Sequence, residues 1–207
     1  MHTLNEKQIH ILHVAEKLFG EKGFDGTSVR NIAKEAGINI AMVSYYFGSK
    51  EKMLESLILY RSNATKMELD TLAHQDLSPL EKLDKLVELY ISRVHKNRCL
   101  YQIVHFELAN NHRDLDFNAF IEVKKRNVAM VEQIVKQGQD AGVFRKDVNI
   151  ALIPPTVIGL IFQFHTNREM YAEMFNLKSD AAFNHYIKNE LTAHIKQTIK
   201  ALLTHEV

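Results

Sequence analysis

A glycine at position 37, inside the run TSVRNIAKEAGINIAMVSYYFGSKEK of residues 27–52, narrows the possible folds more than any other feature of this 207-residue chain. Glycine adopts the positive φ of a sharp turn between helices without the steric cost a Cβ brings. Before it, Ile32, Ala33 and Ala36 fall on one helical face, and the small Ala33 lets another helix cross closely. After it, Ile38 and Val43 can close the same small core, while Asn39 is suited to cap a new helix through its side-chain oxygen. Thr27 or Ser28 can cap the preceding one. Two short helices joined by a tight glycine turn around an alanine contact make a helix-turn-helix.

The rest of the chain reads as helical and globular. With 46% hydrophobic and 25% charged residues it has the composition of a folded domain, or of two small ones. The formal net charge is only +1, so no global basic field announces a nucleic-acid partner, and DNA binding must rest on locally placed donors. One cysteine, Cys99, excludes an intramolecular disulfide framework and suits a reducing compartment. No apolar run approaches the roughly 20 residues a membrane-spanning helix needs, and the start MHTLNEKQIH lacks a signal-peptide core, so a cytoplasmic protein without membrane contact is expected.

Apolar spacing predicts a first helix over 5–22, with Ile11, Leu12, Ala15, Leu18 and Phe19 as its buried stripe. His10 and His13 lie one turn apart, on what reads as a solvated face. Helices over 28–36 and 39–45 follow, then a long one from Ser49 to about residue 72. Ser78-Pro79-Leu80-Glu81 is a capping box with proline at the first helical position, starting a helix that runs to about residue 95. Further helices are predicted near 99–110 and 114–140. Pro154-Pro155 forces a break between 150 and 155. After it the nearly all-apolar run 157–164 must be buried on several sides. The last helix, 180–203, repeats apolar residues at Phe183, Ile187, Leu191, Ile195, Ile199 and Leu202. The expected class is all-α, about nine helices, with a head over 1–50 and a helical body over 51–207.

The run FGEKGFDGTSVRNIAKEAGI followed by YYFGSKEKML resembles the N-terminal domain of the tetracycline-repressor (TetR) family of bacterial transcriptional regulators, specifically over about residues 9–54. Gly142-Val143-Phe144-Arg145 followed by Asp147 resembles a helix end in the same family. The resemblance implies a three-helix DNA-binding head, an all-helical body that binds an inducer and dimerises, and repression relieved by that inducer. It implies that the helix leaving the head acts as a lever on the separation of the two heads. It places Arg30 where a base edge or phosphate is reached, Ile40, Ala41 and Met42 in the major groove, and Lys50 at backbone phosphate. Ser44 stands where many members carry tyrosine.

The groove residues have no hydrogen-bonding side chains, so readout leans on thymine methyl contact and on Arg30, Asn39 and Ser44. Tyr45 and Tyr46 offer hydroxyls to phosphate, and the helix-start N–H groups at Ser28 and Ser49 add fixed partial positive charge.

For an apolar effector pocket with a few polar groups, Tyr90, Tyr101, His105, Phe106, Phe120, Met130, Phe162 and His165 are the candidates. His105, Glu107 and His112 do not share a helical face, so no metal site is expected, and no cofactor. The helices at about 156–174 and 180–203 would suit a two-fold, four-helix homodimer interface. No nucleotide-binding glycine loop, zinc-protease helix or nucleophile–base–acid set is present, so an enzyme is not expected. The reading is a dimeric regulator that binds a palindromic operator and is released by a small apolar effector. The alternative is a helical ligand-binding or catalytic protein of the same fold without DNA function.

Overall fold

The computed structural model describes residues 4–110 and 115–204. In them the chain forms α1 (Glu6–Lys22), α2 (Val29–Glu35), α3 (Ile40–Phe47), α4 (Lys50–His74), α5 (Pro79–Lys96), α6 (Arg98–Asn110) and α7 (Asn118–Asp140). A 3₁₀ turn (Ile150–Leu152) then leads into α8 (Ile153–Thr166), α9 (Arg168–Met174), α10 (Asp180–Tyr186), a π-turn (Ile187–Leu191) and α11 (Thr192–Leu203). Among the described residues there is no strand. Two compact units result, one from residues 1–63 and 99–123, the other from 64–98 and 124–207.

In the first unit, α1 starts at an Asn5 capping box with Gln8 and buries Ile11, Leu12, Ala15, Leu18 and Phe19. These meet Ile32 and Ala33 of α2, Val43 and Phe47 of α3, and Met53, Leu54, Leu57 and Ile58 of α4. Leu100 of α6 completes the buried cluster, with Ile103, Val104, Phe117 and Phe120 packed on it. The core of the head therefore extends past residue 50. Each fully buried side chain of this size contributes roughly 1.5–3 kcal/mol, so α6 is held to the head by its own apolar face. Glu16 and Arg61 pair across α1 and α4, with Nε 3.1 Å from Oε2. His10 and His13 are exposed, as expected of a solvated face; His10 Nε2 also lies 3.3 Å from the Ala36 carbonyl, and the His13 ring is 5.8 Å from that of Tyr60.

In the second unit α5 is central. Its capping box at Ser78 forms as the sequence predicts, and Leu83, Leu86, Val87, Tyr90, Ile91 and Val94 are buried. Buried Lys82 donates to the Ala73 carbonyl at 2.9 Å and to Gln137 Oε1 at 2.7 Å, tying α4, α5 and α7 together. The run Gly142 to Arg145 turns α7 back on itself: Val143 N–H donates to the Gly138 carbonyl at 2.9 Å, and Arg145 N–H donates to the Leu203 carbonyl at 2.8 Å.

Two expectations are corrected here. The helix expected across 156–174 is bent by 84° between Thr166 and Arg168, at Asn167, whose φ of −107° and ψ of 38° leave the helix. The run 157–164 is buried on several sides as expected, with Val157, Ile161 and Phe164 buried, Ile158, Leu160 and Phe162 half-buried, and Gly159 and Gln163 exposed. The stripe Phe183, Ile187, Leu191, Ile195 and Ile199 is buried within the subunit, and α11 packs on α5, so it cannot also face a partner; only Leu202 of that set is exposed. Among the described residues no single helix is long and apolar enough to cross a membrane.

Candidate nucleic-acid interface

The turn at Gly37 ends α2 by satisfying its last carbonyls. Gly37, at φ 66°, donates to the Lys34 carbonyl at 3.2 Å, and Ile38 N–H donates to the Ala33 carbonyl at 3.0 Å. This pair of bonds is the Schellman motif, and it turns half-buried Ile38 back toward the head's core. The caps follow the sequence: Ser28 Oγ accepts from Asn31 N–H at 3.1 Å, and Asn39 Oδ1 accepts from Ala41 N–H at 2.9 Å. Thr27 instead is buried, its hydroxyl donating to the Leu18 and Gly23 carbonyls. At the far end of α3, Gly48 has φ 77° and ψ −65°, and Ser49 N–H donates to the Phe47 carbonyl at 3.0 Å. That three-residue turn is strained for any residue with a Cβ.

Both ends of α3 are thus fixed, and its outward face stands in solvent. Asn39, Ile40, Ala41, Ser44 and Tyr45 are exposed, Met42 and Tyr46 half-buried. Tyr45 is 79% exposed and meets Tyr46 edge to face at 5.3 Å. Ser28 and Arg30 are exposed on α2, and Arg30 makes no hydrogen bond or ion pair among the described residues. Lys34, one turn further along the same face of α2, is a second exposed cation that the sequence reading passed over, although its four-residue spacing from Arg30 was visible.

Lys50 is placed differently from the implied phosphate contact. Its ammonium donates to the Phe24 carbonyl at 2.9 Å and the Thr27 carbonyl at 3.0 Å, and sits 4.2 Å from the centre of the Phe24 ring. Two of its three donors hold the loop between α1 and α2 against the start of α4.

The eight effector candidates do not share one set of surroundings. Tyr101, His105, Phe106 and Phe120 belong to the first unit, and Tyr90, Met130, Phe162 and His165 to the second. Phe106 is 51% exposed and lines a cavity of about 430 Å³ with Phe19, Lys22 and Cys99. Phe120 packs on the head's core, and Tyr90 is core. His165 is buried with its Nε2 3.2 Å from His95 Nδ1. Burial, then the neighbouring His95, Arg98 and Arg168, push its pKa down to about 4. Burial, with Arg98 and Lys96, also lowers that of His95.

Two residues of α7 were missed. Asn127 is buried with an Oδ1 that has no hydrogen-bond partner among the described residues. Lys124 lies one turn before it, its pKa lowered by burial. Nothing in the apolar pattern marks them, since both read as the polar side of a surface helix. His112, which with His105 and Glu107 is not expected to form a metal site, lies outside the described residues; among those described no three His, Cys, Asp or Glu side chains gather as a metal site.

A rigid helix-turn-helix with its second helix laid bare, carried on a larger helical body, is the build of a DNA-binding transcriptional regulator. Residues 11–57 match the domain described as bacterial regulatory proteins, tetR family, and residues 79–199 match the tetracyclin repressor-like C-terminal domain. The second match alone covers more than half of the chain, and the protein belongs to the TetR family. It is 38% identical over 100 residues to the Bacillus subtilis (strain 168) protein named Probable HTH-type transcriptional regulator YttP, a match covering 47% of this chain and 48% of that relative, so it spans about half of YttP's length. It is 29% identical over 169 residues to the HTH-type transcriptional repressor NicS of Pseudomonas putida, covering 77% of this chain and 76% of NicS. The crystal structure of the transcriptional regulator FadR from Bacillus subtilis in complex with stearoyl-CoA superposes with a TM-score of 0.69 at 20% identity, over 92% of this chain and 96% of FadR, a likeness of fold alone.

Proposed function

We propose that this regulator is a homodimeric repressor that sets α3 of each copy into the major groove of a palindromic operator and leaves the DNA when a small ligand enters its second unit. The observation that carries the reading is the outward face of α3, clamped at both ends by the Gly37 and Gly48 turns and flanked by the unpaired guanidinium of Arg30. Ile40, Ala41 and Met42 would read thymine methyl groups by apolar contact, with Arg30 and Ser44 supplying hydrogen bonds. Tyr45, Tyr46 and the helix-start N–H groups would position the duplex on its phosphates. Two heads on a two-fold axis must meet half-sites roughly 34–36 Å apart, or a multiple of that. A ligand then acts by favouring the spacing that misses the half-sites.

For the effector, Met130 and Phe162 supply apolar surface in the second unit, and the unsatisfied Asn127 Oδ1 calls for a ligand that carries a hydrogen-bond donor. Mobility shift on the DNA upstream of the coding sequence, with competitor DNA present, tests the reading. A sequence-specific shift is expected, and Arg30→Ala should weaken it by about 1–3 kcal/mol while relaxing base preference at its position. No specific shift, or an unchanged Arg30→Ala, overturns the assignment.

A further inference from the structure

A groove in the second unit, unconnected with the operator reading, has the makings of a second ligand site. α5 contributes Ile91, Ser92 and His95 to it, and the opposite wall is formed by Asn184, Ile187 and Lys188, around the start of the π-turn. The cavity measures about 490 Å³, within the range that holds small organic ligands. Ile91 and Ile187 are buried and form an apolar floor.

The π-turn is itself a pointer. Such a turn is less favourable than the α-helix it interrupts and recurs at functional sites. Here Thr192, also on the groove, closes the π-turn by donating its backbone N–H to the Ile187 carbonyl, and its hydroxyl donates to the same oxygen at 2.8 Å.

The polar groups divide by charge along the groove. Lys196 pairs with Glu88 at 2.6 Å, so the one carboxylate on the lining is already neutralised. The same pairing, with His95 near His165 and Phe183 at the other end, shows that α5 and the last helix run antiparallel. Asn184 and Lys188 therefore come opposite Ser92 and His95. Ser92, Asn184 and Lys188 make no hydrogen bond or ion pair among the described residues, so a hydroxyl, an amide and an ammonium face the groove unused. His95 Nδ1 is engaged with His165 Nε2, which leaves His95 Nε2 as its second nitrogen. When His165 donates in that bond, neutral His95 must carry its proton on Nε2 and so becomes a fourth donor.

We propose that this groove binds a small organic carboxylate, its anionic head held by Lys188, Ser92, Asn184 and His95 and its apolar body lying on Ile91 and Ile187. Every group at the head end can donate and the only full charge there is positive, so an ammonium is repelled and a neutral alcohol gains none of the charge-assisted bonding that a carboxylate does. Binding of the anion selects the tautomer in which His165 donates to His95, coupling the groove to the end of α8.

The test uses the full-length protein without DNA, so its outcome is independent of operator binding. Titration calorimetry with octanoate, octan-1-ol and octylammonium is paired with NMR of the histidine ring protons. Octanoate should bind with a Kd below about 1 mM, shift the His95 and His165 resonances together, and outcompete the alcohol and the amine. Lys188→Glu should weaken octanoate by about tenfold or more, and Ser92→Trp should abolish it by filling the groove. Lys188 is exposed, so its variant keeps the test valid should Ser92→Trp misfold. Absence of octanoate binding, equal binding of octan-1-ol, or octanoate affinity unchanged in Lys188→Glu would overturn the proposal.

Discussion

Lys50 shows how far one side chain's task can lie from its place in the sequence. The residues around it are local in their logic: Asn39 caps the helix that begins beside it, Gly37 closes the helix that ends beside it, and both roles were legible from neighbours alone. Lys50 reaches back to carbonyls 23 and 26 residues upstream, a contact created only when α1 and α4 pack. Its ammonium there makes charge-assisted bonds to two part-buried carbonyls, and their removal leaves the Phe24 carbonyl with only the Thr27 N–H and takes the charged donor from the Thr27 carbonyl. Lys50→Met, which preserves the stem, should destabilise the protein by about 1–3 kcal/mol. For a chain of this size that is a fall in Tm of roughly 2–4 °C per kcal/mol. Thermal melts should show this fall, while the slope of operator affinity against salt concentration stays as in the wild type. An unchanged Tm with a salt slope shallower by about one would return Lys50 to the phosphate contact its family position implies.

At the scale of elements, the ends of helices were easier to read than their interiors. The Ser78 box and the Pro154-Pro155 start were legible because capping chemistry is local. The π-turn was not, although its signal was present: Phe183, Ile187, Leu191, Ile195 and Ile199 recur strictly every four residues. On a 3.6-residue helix each such step drifts by about 40°, so the stripe stays on one face only if the helix is locally widened. The effector set failed for a related reason, since periodicity marks a residue as inward-facing without saying whether a cavity or packed core lies there. Tyr90 became core, and His165 met a partner on another helix.

That partner pair joins the ends of α5 and α8 and makes the join sensitive to acid. The groups near it from α5 and its exit are His95, Lys96 and Arg98, and from α8 and the start of α9 His165 and Arg168; apart from the histidines, all are positive. Both histidines titrate below their ordinary value of about 6.5, His165 near 4, so the unfolded chain binds more protons than the folded one between those limits. The stabilisation is complete above about pH 6.5 and is lost progressively as pH falls toward 4. Urea unfolding should show about 1–2 kcal/mol less stability near pH 5 than near pH 7.5, and His165→Phe should remove most of that difference. A variant that keeps the full pH dependence would show that the acid-sensitive group lies elsewhere.

For the whole molecule, the proposed homodimer requires a face of the second unit that the subunit itself leaves uncovered. The apolar stripe of the last helix is unavailable, because it is buried within the subunit, α11 packing on α5 and Phe183 on Phe164 and His165 of α8. α8 keeps an unburied line instead, through Pro155, Thr156, Gly159 and Gln163, with Leu152 57% exposed ahead of it. Gly159 costs its helix about 1 kcal/mol relative to alanine, and nothing in the subunit requires it: a Cβ built there meets no atom within 4 Å. A glycine at such a place is explained if a second copy of α8 crosses close to it on a two-fold axis. Gly159→Arg then separates the two explanations. Within one subunit the substitution has open space and improves helix propensity, so the fold should persist with undiminished circular dichroism. Across the axis it would set one guanidinium against its symmetry mate, and sedimentation equilibrium should show a wild-type dimer turned into a monomer. Operator binding should fall with it, because a single head addresses one half-site. A Gly159→Arg protein that remains as dimeric as the wild type would move the interface away from α8.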